Sequence, residues 1–309
     1  MTEDITVNDQ YGTVTEEKAR GMINNWMGSE VLTLGNHFQG SPVLDSEPLT
    51  YDPDWRVSNM EMTEDDLNTL NKLGEVRSFR LCMSLEETRS EGVNVAPLLH
   101  VVGDKKKEHY FRLYTPADTL KQKYNITGSG VIGKGGKKSI GLKKFMRLLG
   151  KTESAEVPVQ FLQTVRENWL LLDPAQMDDL FMAYRNTNTV ENEVRRLSRL
   201  TEYRMNAGTN ALLFNKLRKL AGKGKLTTFR MHFGVDFNKQ PNQGEFTFTP
   251  VIELGTSDNL RVALKKHAKE LKGISLSALQ DMPVFSSVTG DGEDGSTWFF
   301  EYIKPCPPC

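Results

Sequence analysis

Two stretches of this chain follow one plan, and that repetition constrains the fold more than any other feature. Residues 76–103 read VRSFRLCMSLEETRSEGVNVAPLLHVVG, and residues 226–255 read LTTFRMHFGVDFNKQPNQGEFTFTPVIELG. Each sets an apolar position before Phe-Arg (Phe79-Arg80, Phe229-Arg230), alternates, and crosses a polar stretch to Gly92 or Gly244. Each then runs through Pro97 or Pro250 to a closing Gly103 or Gly255. Small gaps at the polar turn or beside the proline are all the alignment needs.

The match extends outward. Tyr110-Phe111-Arg112 pairs with Phe299-Phe300-Glu301, and EKARGMINNWM with VQFLQTVRENWLL, which sets Trp26 against Trp169. The helix signal at Thr63, with acids in its first turn, is matched to Asp173-Pro174 followed by Gln176. Period-2 runs joined by polar turns predict antiparallel strands. The expected fold is α+β: an internal tandem duplication, each unit about two helices plus a three-stranded antiparallel meander, with a basic Gly/Lys-rich joint. Unit one spans 1–116, the joint 117–157, and unit two 158–309, with a helical insertion expected near 186–222.

FRMHFGV, FTFTPVIELG and the tail IKPCPPC resemble stretches of a group of short bacterial proteins. Those share an Arg-bearing strand, a Pro-bearing strand and a Cys-Pro-Pro tail. The resemblance implies no activity, substrate or site.

The formal net charge of −1 conceals an asymmetry. Residues 1–100 carry 18 acids and 7 bases, whereas 105–151 carry 13 bases and 2 acids. Such blocks fit an acidic region folding against a basic one, or oppositely charged faces meeting between molecules. No apolar run is long enough to span a membrane. The N-terminus MTEDITVNDQ lacks the basic and apolar regions of a signal peptide, and three cysteines make no disulfide framework, so a cytoplasmic location is expected.

The joint holds TGSGVIGKGGKKSIGLKKFMRLLGK. Its GxGxxG lacks the preceding strand and the later acid of a dinucleotide fold, and its lysines break the phosphate-loop pattern. Lys134, Lys137, Lys138, Lys143, Lys144 and Arg147 nevertheless form a candidate anion or nucleic-acid surface, with a solvated basic face as the plainer reading. The histidines have no zinc-ligand spacing, and GDGEDG at 290–295 reads as a turn rather than a calcium loop. No cofactor or metal is expected.

Arg80 and Arg230 are the matched polar positions, either as structural ion pairs or as twin anion sites. Cys306 and Cys309 lie beyond the repeated core in a proline-stiffened tail. They are expected to act between molecules, by cross-link or shared ligation, or to stay idle. With no catalytic cluster in sight, the sequence favours a non-enzymatic structural or protein-interaction protein, a fused pseudo-dimer able to self-associate or bind another protein. The alternatives are a nucleic-acid-associated protein using 134–151, and an enzyme with its site between the units.

Overall fold

The computed structural model describes residues 13–39, 56–86, 94–103, 107–115, 156–157, 159–172, 174–189, 192–239, 241, 245–256 and 297–301. The first half opens with β1 (Thr13–Val14), α1 (Glu16–Gly28) and a 3-10 helix, Val31–Phe38. Next come β2 (Asn59–Glu61) and α2 (Glu64–Asn71), leading into β3 (Val76–Cys82), β4 (Leu98–Gly103) and β5 (Glu108–Arg112). The second half begins with α3 (Val159–Leu171), the four-residue α4 (Pro174–Met177) and a 3-10 turn, Asp178–Phe181. A hairpin of β6 (Met182–Thr189) and β7 (Asn192–Arg199) precedes β8 (Glu202–Met205) and α5 (Ala211–Ala221). The chain then lays down β9 (Leu226–His232), β10 (Val251–Thr256) and β11 (Thr297–Glu301). The fold is α+β with antiparallel sheets.

Local sequence explains where the helices start. Thr15 caps α1 by accepting from the Lys18 amide, with Glu16 and Glu17 in the first turn. Thr63 caps α2 the same way through the Asp66 amide at 3.2 Å, and its hydroxyl donates to the Asp66 carboxylate at 2.9 Å. Gly74 and Gly224, each two residues ahead of β3 or β9, take φ of 76° and 62°. Glycine adopts that left-handed turn without strain, which lets the chain reverse from helix into strand.

The two main sheets are built by exchange. The first has the order β1-β5-β4-β3-β8 and the second β11-β10-β9-β2. Each meander therefore receives, next to its leading strand, a short strand from the other half of the chain. Phe79 pairs with Met205 and Leu81 with Tyr203, while Met60 pairs with Met231 and Glu61 with Arg230.

Period-2 alternation sets the packing. Phe79, Leu81 and Met83 from the first sheet and Phe229, Met231 and Phe233 from the second are all fully buried, in one core cluster that spans both halves. Helix α5 contacts β3, β8 and β9, and also α2, so it bridges the sheets. On the opposite faces, α1 lays Ala19 and Met22 over Cys82, Leu98 and Tyr110. Helix α3 lays Phe161, Leu162 and Val165 over Val251 and Phe299.

Two expectations need correction. Asp173–Gln176 does not hold the place of the Thr63 helix: α4 is four residues long, and α5 is the helix that precedes β9. The region near 186–222 is not a helical insertion, because it holds the end of β6, β7 and β8, with helix among its described residues only at Ala211–Ala221. Val194, Leu197 and Leu200 have helix-like spacing, but pairing to the Asn- and Thr-rich β6, a poor helix former, outweighs it.

Phe38 lies at the centre of the core, its ring stacked on Phe181 at 5.2 Å and edge-on to Trp169 at 5.1 Å. Phe38→Ala should cost about 3–5 kcal/mol in urea unfolding, the usual range for truncating a buried phenylalanine. Tryptophan fluorescence and circular dichroism should report one transition for the wild type, since the core belongs to both halves. Two resolved transitions would contradict a shared core.

Candidate functional site

On the outer face of each sheet a row of four side chains crosses the strands at the same level, its last member, Tyr110 or Phe299, lying under α1 or α3. In the second sheet the row is Glu61 (β2), Arg230 (β9), Glu253 (β10) and Phe299 (β11). In the first it is Arg204 (β8), Arg80 (β3), His100 (β4) and Tyr110 (β5). Arg80 and Arg230, matched in the sequence, thus occupy the same place in their two sheets.

Their surroundings differ. The Arg230 guanidinium donates to Glu61 at 2.6 and 2.8 Å and to Glu253 at 3.1 Å. His232, in the next row, meets the same Glu253 oxygen through Nε2 at 2.8 Å. Burial alone would raise Glu253, but the His232 hydrogen bond and the Arg230 charge outweigh it and hold the carboxyl well below the usual range. Burial lowers His232 despite Glu253, with Arg166 and Arg230 adding to the effect, so the ring is neutral at pH 7. A neutral ring donating from Nε2 leaves Nδ1 as an acceptor, and that atom is buried without a partner.

In the first sheet Cys82 takes the place of His232, and both are buried. Burial pushes the Cys82 thiol up to about 12, which removes it as a nucleophile near neutral pH. His100 stacks on Tyr110 at 4.4 Å and meets Glu108 at 3.1 Å, while the Tyr110 hydroxyl donates to the same Glu108 oxygen at 2.9 Å. Burial lowers His100 as well. Arg204 Nε pairs with Glu202.

A second charged pair occurs in each sheet with its signs exchanged. Arg112 on β5 grips Glu86 through both guanidinium nitrogens, at 2.5 and 2.7 Å. Glu301, at the same place on β11, is bound by Lys239 at 3.0 Å. Burial raises Glu301, and its second carboxylate oxygen has no partner.

Of the sequence candidates, Arg230 is a structural ion pair and Arg80 stands in the contrasting row. Lys134, Lys137, Lys138, Lys143, Lys144, Arg147, Cys306 and Cys309 lie outside the described residues. Sequence reasoning missed Glu61 and Glu253 as partners of Arg230. Glu253 carries a signal, as the one charge in the run FTFTPVIELG; Glu61 carries none, because its strand comes from the other half. Among the described residues no three His, Cys, Asp or Glu side chains converge as metal ligands. No family model, curated protein or solved structure matches the chain.

Glu253→Gln should destabilise the fold by about 3 kcal/mol, because removing one partner leaves Arg230 undercompensated in a half-buried setting. Stability should also fall as pH drops from 7 to 5. His37, His100, His109 and His232 all have folded pKa values below their unfolded ones, so the unfolded chain takes up more protons as pH falls through about 6.5. Thermal unfolding across that window should show the decline. His232→Cys, which installs the residue found at this place in the first sheet, should flatten it.

Proposed function

We propose that the protein is a non-enzymatic structural or interaction protein, a pseudo-dimer fused by tandem duplication, that associates with further copies of itself. The observation that carries this reading is the reciprocal exchange of β2 and β8, together with the contacts that recur around it. Trp26 Nε1 donates to the Leu200 carbonyl at 2.7 Å, and Trp169 Nε1 to the Val57 carbonyl at 2.8 Å. Arg199 donates to the Trp26 carbonyl and Arg56 to the Trp169 carbonyl, each guanidinium serving a helix C-terminus from the other half. The Leu85 amide bonds Met22 and the Val235 amide bonds Val165. The Met83 amide bonds Thr201 and the Phe233 amide bonds Ser58. Gln39 pairs with Arg56 and Met182 with Arg199, with 16 residues between the partners in both cases.

Such paired contacts are what a two-fold homodimer presents, with each element meeting its partner's equivalent. Here one chain supplies both copies. Units at 1–116 and 158–309 joined by 117–157 accommodate them, with unit two carrying the β6–β7 hairpin in place of a helical insertion. The chemistry of the matched rows supports a non-catalytic role: Arg230 is neutralised in place and Cys82 is held as a thiol.

The β6–β7 hairpin supports self-association. It forms a two-stranded sheet of its own, and two strands alone are marginal in water. Tyr184 and Leu197 sit directly opposite each other on it, 43% and 51% exposed. A second copy covering this pair would remove apolar surface from water.

Light scattering on a sizing column should give a mass above the monomer that rises with concentration, and Tyr184→Glu with Leu197→Glu should return it to the monomer. A strict monomer at high concentration would remove the self-association reading. The pseudo-dimer reading is tested separately. A protease site placed in 117–155 and cleaved in the folded chain should leave both halves eluting together; separation without denaturant would contradict it.

A further inference from the structure

The contrast between the two rows points to a binding position. In the second sheet Arg230 has a carboxylate on each flank, Glu61 from β2 and Glu253 from β10. In the first sheet those flanks are Arg204 and His100. Arg80 makes no hydrogen bond or ion pair with any described residue. Its charge reaches His100 and Glu108 only at a distance. The two acids nearby are engaged elsewhere, Glu202 by Arg204 and Glu108 by His100 and Tyr110. Arg204, directly opposite Arg80, has Glu202 as its counter-ion, so Arg80 is the cation of this row without a carboxylate contact among the described residues.

We propose that Arg80, with Arg204 beside it, is a binding position for a carboxylate ligand, which takes the place that Glu61 and Glu253 fill around Arg230. The second sheet shows the geometry that such a ligand would reproduce, with carboxylate oxygens at 2.6–3.1 Å from the guanidinium. An arginine fork matches a carboxylate through two parallel hydrogen bonds, and neighbouring positive charge strengthens the attraction. His100 is neutral near pH 7 and Arg204 is paired with Glu202, so the site's affinity rests chiefly on Arg80. Arg80 is half-buried and the Arg204 side chain 37% exposed, so the position is reachable from solvent while partly shielded from it. The ligand can be a small dicarboxylate or the acidic side chains of another polypeptide, since the recognised group is the same. The site stands independently of self-association, because every residue in it belongs to one sheet of one chain.

The test uses the full-length protein at low ionic strength, with calorimetric titration of glutarate, a hexaglutamate peptide and inorganic phosphate. Binding of glutarate alone identifies a small-molecule site, and binding of the peptide alone or more tightly identifies a polypeptide source. Either result supports the proposal if Arg80→Gln weakens binding at least tenfold while the protein still unfolds cooperatively. Arg204→Glu, which sets a carboxylate opposite Arg80 as Glu61 stands opposite Arg230, should abolish binding as well. No binding of either carboxylate probe up to 10 mM, on the order of the weakest ligand a two-arginine site would hold, overturns the proposal. So does undiminished binding in Arg80→Gln, or phosphate binding tighter than both.

Discussion

The structure depends on the crossing of two short segments, residues 56–62 and 199–205. Each leaves its own half of the chain, passes beneath the other half's tryptophan and joins the other half's sheet. Trp26 and Trp169 are completely buried, yet the indole N–H of each is satisfied by a carbonyl of a crossing segment. The arginines that lead the crossings donate to carbonyls at helix C-termini of the other half, Arg56 to Trp169 and Arg199 to Trp26 and Ser29. Between the crossings, Phe38 and Phe181 lie face to face at an angle of 4°. Removing either segment would strip a sheet of an edge strand and leave an indole donor buried without an acceptor. A half alone therefore lacks part of its own sheet and part of its own core.

That arrangement decides how polar groups are distributed. The inner face of each sheet is committed to the shared core, so charge is confined to the outer faces, where α1 and α3 cover only part of the surface. Within the matched rows the two sheets solve the same problem differently. The second neutralises its central arginine with two carboxylates from neighbouring strands; the first surrounds it with an arginine and a neutral histidine. Burial keeps Cys82 protonated and His232 neutral.

Much of the framework is legible in the sequence. The alternation Phe79, Leu81, Met83 predicts the buried face, and the match of Tyr110-Phe111-Arg112 to Phe299-Phe300-Glu301 names residues that hold the same places on β5 and β11. Cys82 and His232 are matched in sequence and occupy the same buried position. The exchange itself is not legible. Strands β2 and β8 are three and four residues long, too short for a period-2 signal, and their partners lie 120 residues or more away. The hairpin at 182–199 is misread because Val194, Leu197 and Leu200 recur at helical spacing, and only its pairing fixes it as strand. Glu61 is invisible as a partner of Arg230 for the same reason that β2 is: its role exists only after the two halves have crossed.

Native-state hydrogen exchange tests the crossing most directly. Four amides report on it: Met62 to Phe229, Phe233 to Ser58, Met83 to Thr201 and Leu200 to Phe181. If the crossing segments belong to the central cooperative unit, these amides exchange only through global unfolding, with protection equal to that of Phe79 and Phe229 in the meanders. Markedly faster exchange of the four, with the meanders still protected, would show loosely docked strands and contradict the account.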